Sequence, residues 1–147
     1  MKIVIGSDHA GYHLKLELAE HLRRTGHDLD DVGSHDPDPV DFPDIARAVC
    51  GAVRAGGARG LMVCGTGVGA SIAANKLRGI RAAVCHDVHS AHQSVEHDDV
   101  NVMCIGAQIV GPWLARDLVD AFLAAEFDRS EDFLRRVQKL HEMEAER

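Results

Sequence analysis

Five short apolar runs alternate along the chain with longer segments in which apolar and polar positions are mixed. Short runs bounded by glycine or polar residues are typical of strands in a parallel sheet, because such strands are covered on both faces. They occupy residues 2–6, 29–32, 60–64, 80–85 and 101–106. The alternation predicts a three-layer α/β/α domain with a five-stranded parallel sheet and a C-terminal helix, spanning residues 1–147.

The mixed segments have the period of amphipathic helices. In the first of them, Leu14, Leu18 and Leu22 recur at intervals of four residues. Lys15 and Glu17 lie between these leucines and are predicted on the polar face. The pattern therefore predicts a first helix that packs its leucines on the sheet.

Glycine and proline predict several element boundaries. Gly26 ends the first helix, and the Gly56-Gly57 pair ends a second helix predicted over Ile45–Ala55. Three prolines between Gly33 and Asp44 predict a loop there, because proline lacks the N–H that regular structure uses. Pro112 is predicted to begin a later helix in its first turn.

The composition narrows the function classes. Hydrophobic residues make up 46% of the chain and charged residues 27%, which is the balance of a globular protein. The net charge of −7 argues against a nucleic-acid surface, and no apolar run has the length of a membrane span. The four cysteines lack C-x-x-C spacing and the first apolar run is too short for a secretion signal. Together these features predict free thiols in the cytoplasm.

The glycine turn, defined here as Cys64–Ser71, follows the third apolar run and precedes a predicted helix. Its three glycines let the backbone approach a ligand closely, and the N–H groups at the start of a helix point at whatever lies in the turn. Such a site would stabilise an anion, a developing oxyanion or a thiolate at Cys64. The glycine spacing differs from both the dinucleotide fingerprint and the P-loop. A purely structural turn, with Cys64 as a small buried residue, is the alternative.

Further candidates follow the ends of other predicted strands. In open parallel sheets, ligands bind outside the carboxyl ends of the strands, where Asp8-His9 and Asp87 are predicted. An Asp-His pair can transfer protons or hold a phosphate, and Asp8 can cap the first helix at the same time. Asp87 is more plausible as a helix cap. His97 is a candidate proton shuttle, or alternatively a favourable charge at a helix C-terminus.

The histidines also raise the question of a metal. His89 and His92 are three residues apart and could share a helix face. No closed set of ligands accompanies them, so a solvated helix face is the preferred interpretation and no metal site is predicted.

These residues together resemble the ribose-5-phosphate isomerase B / galactose-6-phosphate isomerase family, from one end of the chain to the other. The resemblance implies an aldose–ketose isomerase of sugar phosphates that needs neither metal nor cofactor and has a Rossmann-like sheet. It also implies a homodimer or dimer of dimers whose active sites are shared between subunits. The motifs that carry it are residues 6–11, 64–69, 72–76, 79–82, 101–102 and 105–106.

The resemblance also implies roles for individual residues. Cys64 would take the C2 proton, Thr66 would relay a proton between the oxygens, and His97 with Asp8 would open the sugar ring. His9 would contact the phosphate. The remaining predicted substrate contacts are Phe42, Gly65, Gly67, Val68, Gly69, Ala70, Ser71, Asp98, Gln108, Arg135 and Arg136.

Four departures from the family pattern leave the substrate open. Gln108 stands where ribose-5-phosphate members carry arginine, and Glu131-Asp132 stands where they carry an Arg-His pair. Phe42 replaces a common tyrosine, and Asp98 replaces an asparagine. Arg129, Arg135 or Arg136 would then have to hold the phosphate. Ribose 5-phosphate is the default substrate, with a tetrose phosphate such as erythrulose 4-phosphate, or a hexose 6-phosphate, as alternatives.

Two alternative classes of function make different demands on the sequence. A phosphate-binding module without activity would need the glycine turn but neither Cys64 nor His97. A silent partner subunit would not need to keep Cys64, Thr66 and His97. The presence of these residues favours an enzyme.

Overall fold

The computed structural model describes residues 1–56 and 58–147, which form five strands and six helices in the alternating order expected for an α/β protein. The strands are β1 (Lys2–Ser7), β2 (Asp28–Asp31), β3 (Arg59–Cys64), β4 (Ala82–Val84) and β5 (Val102–Gly106). The helices are α1 (Tyr12–Arg24), α2 (Phe42–Gly56), α3 (Val68–Asn75), α4 (Val88–Asp98), α5 (Pro112–Ala124) and α6 (Glu131–Ala145). The predicted C-terminal helix is therefore confirmed as α6.

The strands form one sheet in the order β2-β1-β3-β5-β4, and each neighbouring pair is parallel. In the registers of β3, Ser7 of β1 lies opposite Val63 and Gly106 of β5 lies opposite Cys64. Because the strands are parallel, their carboxyl ends share one edge of the sheet, called here the carboxyl edge. The opposite edge is called the amino edge.

Two apolar cores confirm the three-layer arrangement. On one face of the sheet, α1, α4 and α5 pack their apolar residues on β1, β3 and β5. On the other face, α2 and α3 do the same. Helix α6 differs from the others, because among its residues only Val137 is buried.

The start of α2 corrects the predicted loop over Gly33–Asp44. The helix begins at Phe42 and includes Pro43. The first four N–H groups of a helix have no partner within it, so proline is tolerated in the first turn. The predicted end of this helix at the Gly56-Gly57 pair is met at Gly56, and Gly57 lies outside the described residues.

The environment of Lys15 corrects a second prediction. Its side chain is not on the polar face of α1, because the residue is 0% exposed. Its ammonium group donates to Asp31 at 2.9 Å, so the charge is paired inside the protein. The helical period assigns a face by position alone and does not detect a buried acceptor.

Other boundary predictions are met closely. Gly26 follows the end of α1 with a φ of +86°, and Pro112 begins α5. Asp87 caps α4 by accepting a hydrogen bond from the Ser90 N–H at 2.7 Å. The strand predicted over residues 80–85 is shorter than expected and covers Ala82–Val84. Within residues 1–56 and 58–147, no helix has the combined length and apolar character needed to cross a bilayer.

Candidate active site

The glycine turn places a thiol beside a set of backbone donors. Cys64 is the last residue of β3 and is 6% exposed. Its sulfur accepts a hydrogen bond from the Gly67 N–H at 3.0 Å. Gly67 has a φ of +82°, a conformation that side chains disfavour, and α3 begins at the next residue. The turn therefore directs the first N–H groups of α3 into the space at the carboxyl edge.

The environment of Cys64 differs from that of the other three cysteines, all of which are also free and buried. Burial raises the pKa of Cys50 to about 11 and raises the pKa values of Cys85 and Cys104. These thiols stay protonated near neutrality. Cys64 lies at a strand end where a backbone N–H stabilises charge on sulfur, which makes it the cysteine suited to a base.

The first loop brings Asp8 to the same place. Ser7 and Val63 are partners across β1 and β3, so Asp8 and Cys64 are the next residues along two adjacent strands. Asp8 is 9% exposed and its Oδ1 accepts the Gly11 N–H at 3.1 Å. The prediction that Asp8 caps α1 is wrong, because the helix has Gly11 as its N-cap and no side-chain cap; Asp8 instead holds the Gly11 N–H just before the helix, and its carboxylate stays at the carboxyl edge.

His9 and Phe42 form the side of this region. His9 is exposed, and its Nδ1 accepts the Val40 N–H at 3.2 Å, which leaves the proton of the neutral ring on Nε2. The ring of Phe42 lies over Gly69, where an added Cβ would be only 2.8 Å from the ring. Phe42 is therefore a wall of the glycine turn.

Gln108 lies over the beginning of the turn. Its N–H donates to the Gly65 carbonyl at 3.0 Å, and its side-chain oxygen lies 3.3 Å from the place where a Cβ of Gly65 would stand. The Ala107 N–H donates to the Cys64 carbonyl at 2.7 Å. The amide of Gln108 thus reaches the group of residues predicted to bind substrate.

The other members of the glycine turn complete this cluster. Thr66 accepts the Val68 N–H at its hydroxyl oxygen, at 3.3 Å. The Ser71 N–H already donates to the Gly67 carbonyl at 3.0 Å. Ser71 and Val68 are therefore less available as anion donors than Gly69 and Ala70, which lie in the first turn of α3.

The sequence analysis predicts no role for His86, but its side chain supports the glycine turn indirectly, through Gly106. Its Nε2 accepts the Gly106 N–H at 2.9 Å. Gly106 packs directly on Thr66, because a Cβ there would lie 2.6 Å from the Thr66 Cα. The available signal is its place immediately after the predicted fourth strand, at the carboxyl edge.

His97 and Asp98 lie in the last turn of α4. This position also fits the alternative interpretation, in which His97 is a favourable charge at the C-terminus of the helix. The His97 ring stacks on Phe133 of α6, with ring centres 4.2 Å apart and planes at 22°. The guanidinium of Arg136 lies over the same Phe133 ring, 5.6 Å from the ring centre. Arg135 instead pairs with Asp132 at 2.8 Å.

These residues are at the amino edge, away from Cys64. Helix α4 leaves the carboxyl end of β4 and runs back for 11 residues, a length of about 16 Å. At its end, the Asp99 carbonyl accepts from Arg81, which directly precedes β4. One chain therefore does not place His97 beside Asp8, although the resemblance predicts that the two act together.

A cavity of about 440 Å³ also lies at the amino edge, and Asp98, Arg81 and His141 contribute to its lining. The described residues contain no group of three or more histidine, cysteine or acidic side chains arranged to hold a metal. His92, one of the two histidines considered above, lies 3.6 Å from Glu96.

Comparisons with known proteins give the family. The profile of the family described as Ribose/Galactose Isomerase matches residues 3–140. Ribose-5-phosphate isomerase B of Escherichia coli is 44% identical over 128 residues, which are 86% of each protein. D-erythrulose-4-phosphate isomerase 2 of Mycolicibacterium smegmatis is 43% identical over 132 residues, which are 87% of each.

The solved structure of Clostridium thermocellum ribose-5-phosphate isomerase B superimposes with a TM-score of 0.96 at 48% identity, covering 99% of both chains. The Rossmann-like fold expected from the resemblance is thereby confirmed. The profile match, the identities and the fold agree with one another. The chain is a sugar-phosphate isomerase and belongs to the ribose/galactose isomerase family.

Proposed function

We propose that the enzyme interconverts ribose 5-phosphate and ribulose 5-phosphate through a cis-enediolate, with Cys64 as the base. The observation that carries the proposal is the buried Cys64 sulfur, which accepts the Gly67 N–H at the mouth of the glycine turn. A thiolate held in this way lies next to donors that can receive the developing oxyanion. The relatives named for ribose 5-phosphate support this substrate.

In the proposed reaction the open-chain aldose gives its C2 proton to the Cys64 thiolate. The electron pair forms the C1–C2 double bond, and the carbonyl oxygen becomes the enediolate oxygen. The N–H groups of the glycine turn hold this oxygen, and each such donor contributes about 3–4 kcal/mol to the transition state. Thr66 moves a proton between the two oxygens, and the Cys64 thiol returns its proton to C1. Reactants and products thus balance without an external acid, base or oxidant.

We further propose that two copies of the chain build each site, in a homodimer or a dimer of dimers. His97 lies at the amino edge with a side chain 34% exposed, about 16 Å along α4 from the carboxyl edge. From a partner, His97 could open the ring while Asp98 contacts the sugar. Arg136, on the same ring stack, would meet the phosphate from that side, and His9 would meet it through its Nε2–H.

A tetrose phosphate is the second candidate substrate. Gln108 brings an uncharged amide to the glycine turn, where a phosphate-binding cation would add a charge-assisted hydrogen bond. Relatives named for D-erythrulose 4-phosphate are about as similar to this chain as those named for ribose 5-phosphate. Both substrates pass through the same enediolate chemistry.

The test is a coupled assay across ribose 5-phosphate, erythrulose 4-phosphate and galactose 6-phosphate, with solvent deuterium incorporation followed by NMR. Turnover of ribose 5-phosphate with deuterium entering the exchanged carbon supports the proposal. Isomerisation without any solvent exchange would argue for hydride transfer instead of an enediolate. Preference for another of the three sugars would replace the proposed substrate and keep the chemistry.

The same assay includes EDTA, because the proposed mechanism gives the proton transfers to side chains and the oxyanion to backbone N–H groups. We expect activity to survive the chelator. Loss of activity that one divalent metal restores would contradict the mechanism. The four free cysteines further support a reducing compartment, and we propose the cytoplasm.

A further inference from the structure

Lys15 is a charged residue enclosed within the protein. It is 0% exposed and lies on α1, one turn after the loop that carries Asp8 and His9. Burying an ammonium group is unfavourable unless the charge is paired and hydrogen-bonded. The Nζ of Lys15 donates to Asp31 Oδ1 at 2.9 Å and also to the Ser34 carbonyl. Both acceptors are close to the start of the segment that joins β2 to α2.

The acceptors of Lys15 lead directly to the first loop. The Ser34 N–H donates to the Ser7 carbonyl at 2.8 Å, and the Ser7 N–H donates to the Gly33 carbonyl at 2.8 Å. Asp31 Oδ1 also accepts the Gly33 N–H at 3.0 Å. Lys15 thus holds Ser34 directly and Gly33 through Asp31, and both Gly33 and Ser34 are hydrogen-bonded to the backbone of Ser7, the residue before Asp8.

The same segment is tied to the first loop again at its far end. The Val40 N–H donates to His9 Nδ1, and α2 begins two residues later with the Phe42 ring over Gly69. The residues between these ends, 35–39, form no helix or strand, bend at residues 36–38 and include two prolines. The position of His9 and Phe42 therefore depends on how the start of the segment is held.

We propose that Lys15 is a positioning residue of the isomerase, which holds residues 33–41 against Ser7-Asp8-His9 and so sets the places of His9 and Phe42 at the substrate pocket. We call Lys15, Asp31 and Ser34 the Lys15 clamp. This inference rests on the proposed function for the roles of His9 and Phe42. Lys15 itself touches no substrate, and the clamp does not contact Cys64. Its loss should therefore weaken substrate binding more than the proton transfer.

Two variants test the clamp. Lys15→Met keeps most of the stem and removes all donors. Lys15→Met/Asp31→Asn also removes the carboxylate charge that would be left buried, while an amide oxygen can still accept the Gly33 N–H. The double variant guards against a single variant that fails to fold. In folded protein, shown by circular dichroism, we expect KM to rise about tenfold or more while kcat stays within about threefold.

Amide hydrogen exchange measures the clamp without substrate. We expect the Ser34 and Val40 amides to exchange about tenfold faster in both variants, while the amides of β3 keep their protection. Unchanged exchange at Ser34 and Val40 overturns the clamp, whether or not the protein is an isomerase. Faster exchange with unchanged KM overturns the positioning role. A wild-type protein without sugar-phosphate turnover would instead contradict the proposed function and leave the exchange result to decide the clamp.

Arg59→Met is the matched control. Arg59 is also a part-buried cation that holds backbone carbonyls, those of Phe122, Leu123 and Ala125. These carbonyls end α5, near the amino edge and away from His9. We expect this variant to lose stability with KM unchanged. A similar rise of KM in Arg59→Met would show that general destabilisation causes the effect, and would overturn the specific role of Lys15.

Discussion

The carboxyl edge and the amino edge of the sheet hold their polar groups in different ways. At the carboxyl edge, Cys64 and Asp8 are nearly buried and each accepts a backbone N–H. At the amino edge, His97 is about one-third exposed and is held by stacking on Phe133, with Arg136 over the same ring. The first region is fixed by backbone geometry, whereas the second presents side chains outward from helix ends.

This difference separates the two tasks of the proposed reaction. An oxyanion is best stabilised by donors that are already in place, because reorganising them during the reaction would raise the barrier. The glycine turn has that property within one chain. In the proposed dimer, the partly exposed His97 and the exposed Arg136 of a second chain would open the ring and bind the phosphate.

The largest effect is expected from removing the base. Cys64→Ala should reduce isomerisation by about 10³-fold or more, because general-base catalysis is worth that much and no other thiol lies in the turn. Exchange of the C2 proton, followed by NMR in D₂O, should fall equally. Substrate affinity, measured by calorimetry, should change little.

Cys85→Ala is the control for this variant. Cys85 is another buried free thiol, and it packs in the core on the face of α4 and α5. We expect it to keep wild-type turnover. Activity retained in Cys64→Ala would show that a different group removes the C2 proton. The carboxyl edge and the amino edge would then differ in structure without the proposed division of catalytic tasks.

Mixing two inactive variants tests whether the two edges meet across chains. Cys64→Ala and His97→Ala should each be inactive as pure proteins. After co-refolding, a mixed dimer would join the intact Cys64 of one chain to the intact His97 of the other. Random pairing would make about a quarter of all sites whole, and activity should return to that level.

The result distinguishes a site shared between two chains from a site within one chain. If each site lay within one chain, every site in the mixture would lack one of the two residues and activity would stay absent. The control is a mixture of Cys64→Ala with Cys64→Ser, which cannot form a whole site in either arrangement. Sedimentation should find a dimer or larger assembly, and a fully active monomer would contradict the proposal.

Much of the fold follows from local patterns in the sequence. The five apolar runs and the cap at Asp87 are confirmed, because burial of strands and capping of helices depend on a few neighbouring residues. The start of α2 was misplaced because Pro43 suits the first turn of a helix as well as a loop. Lys15 was assigned to the wrong face because its partner Asp31 is distant in sequence.

The candidate site was predictable where it is one continuous stretch or directly follows the end of a predicted strand, as Asp8 does. The geometry of the glycine turn can be predicted from its sequence, because the strand, the glycines and the helix follow one another along the chain. The separation of Cys64 from His97 is a property of topology, because α4 must run back across the sheet before β5 begins. The hydrogen bond from the Gly106 N–H to His86 joins residues that are 20 positions apart in the sequence, so the residue pattern indicates where His86 lies but not which group it binds.

An intermediate effect is expected at Gln108, which faces the turn without a charge. Gln108→Arg adds a donor that can make charge-assisted hydrogen bonds to phosphate, each worth roughly 1.5–3 kcal/mol. We expect the ratio of kcat/KM for ribose 5-phosphate over erythrulose 4-phosphate to rise about tenfold or more. In the wild type, the tetrose phosphate should be turned over at a rate comparable to that of ribose 5-phosphate. A strong native preference for ribose 5-phosphate together with a neutral variant would show that this position carries no substrate information.

The smallest effect is expected at His86, which contacts the glycine turn only indirectly, through Gly106. Its Nε2 takes the Gly106 N–H, and Gly106 packs on Thr66, so His86→Ala would leave a buried donor unpaired beside the proposed proton relay. We expect kcat to fall several-fold to about tenfold with KM nearly unchanged, because the relay shifts while the binding groups stay in place. His86→Gln keeps an oxygen acceptor at a similar reach and should restore most of kcat. His89→Ala, at an exposed histidine of α4, should have no effect. Equal losses of kcat in the alanine and glutamine variants would show that His86 does not act through its hydrogen bond with Gly106. The glycine turn alone would then have to keep the carboxyl edge rigid.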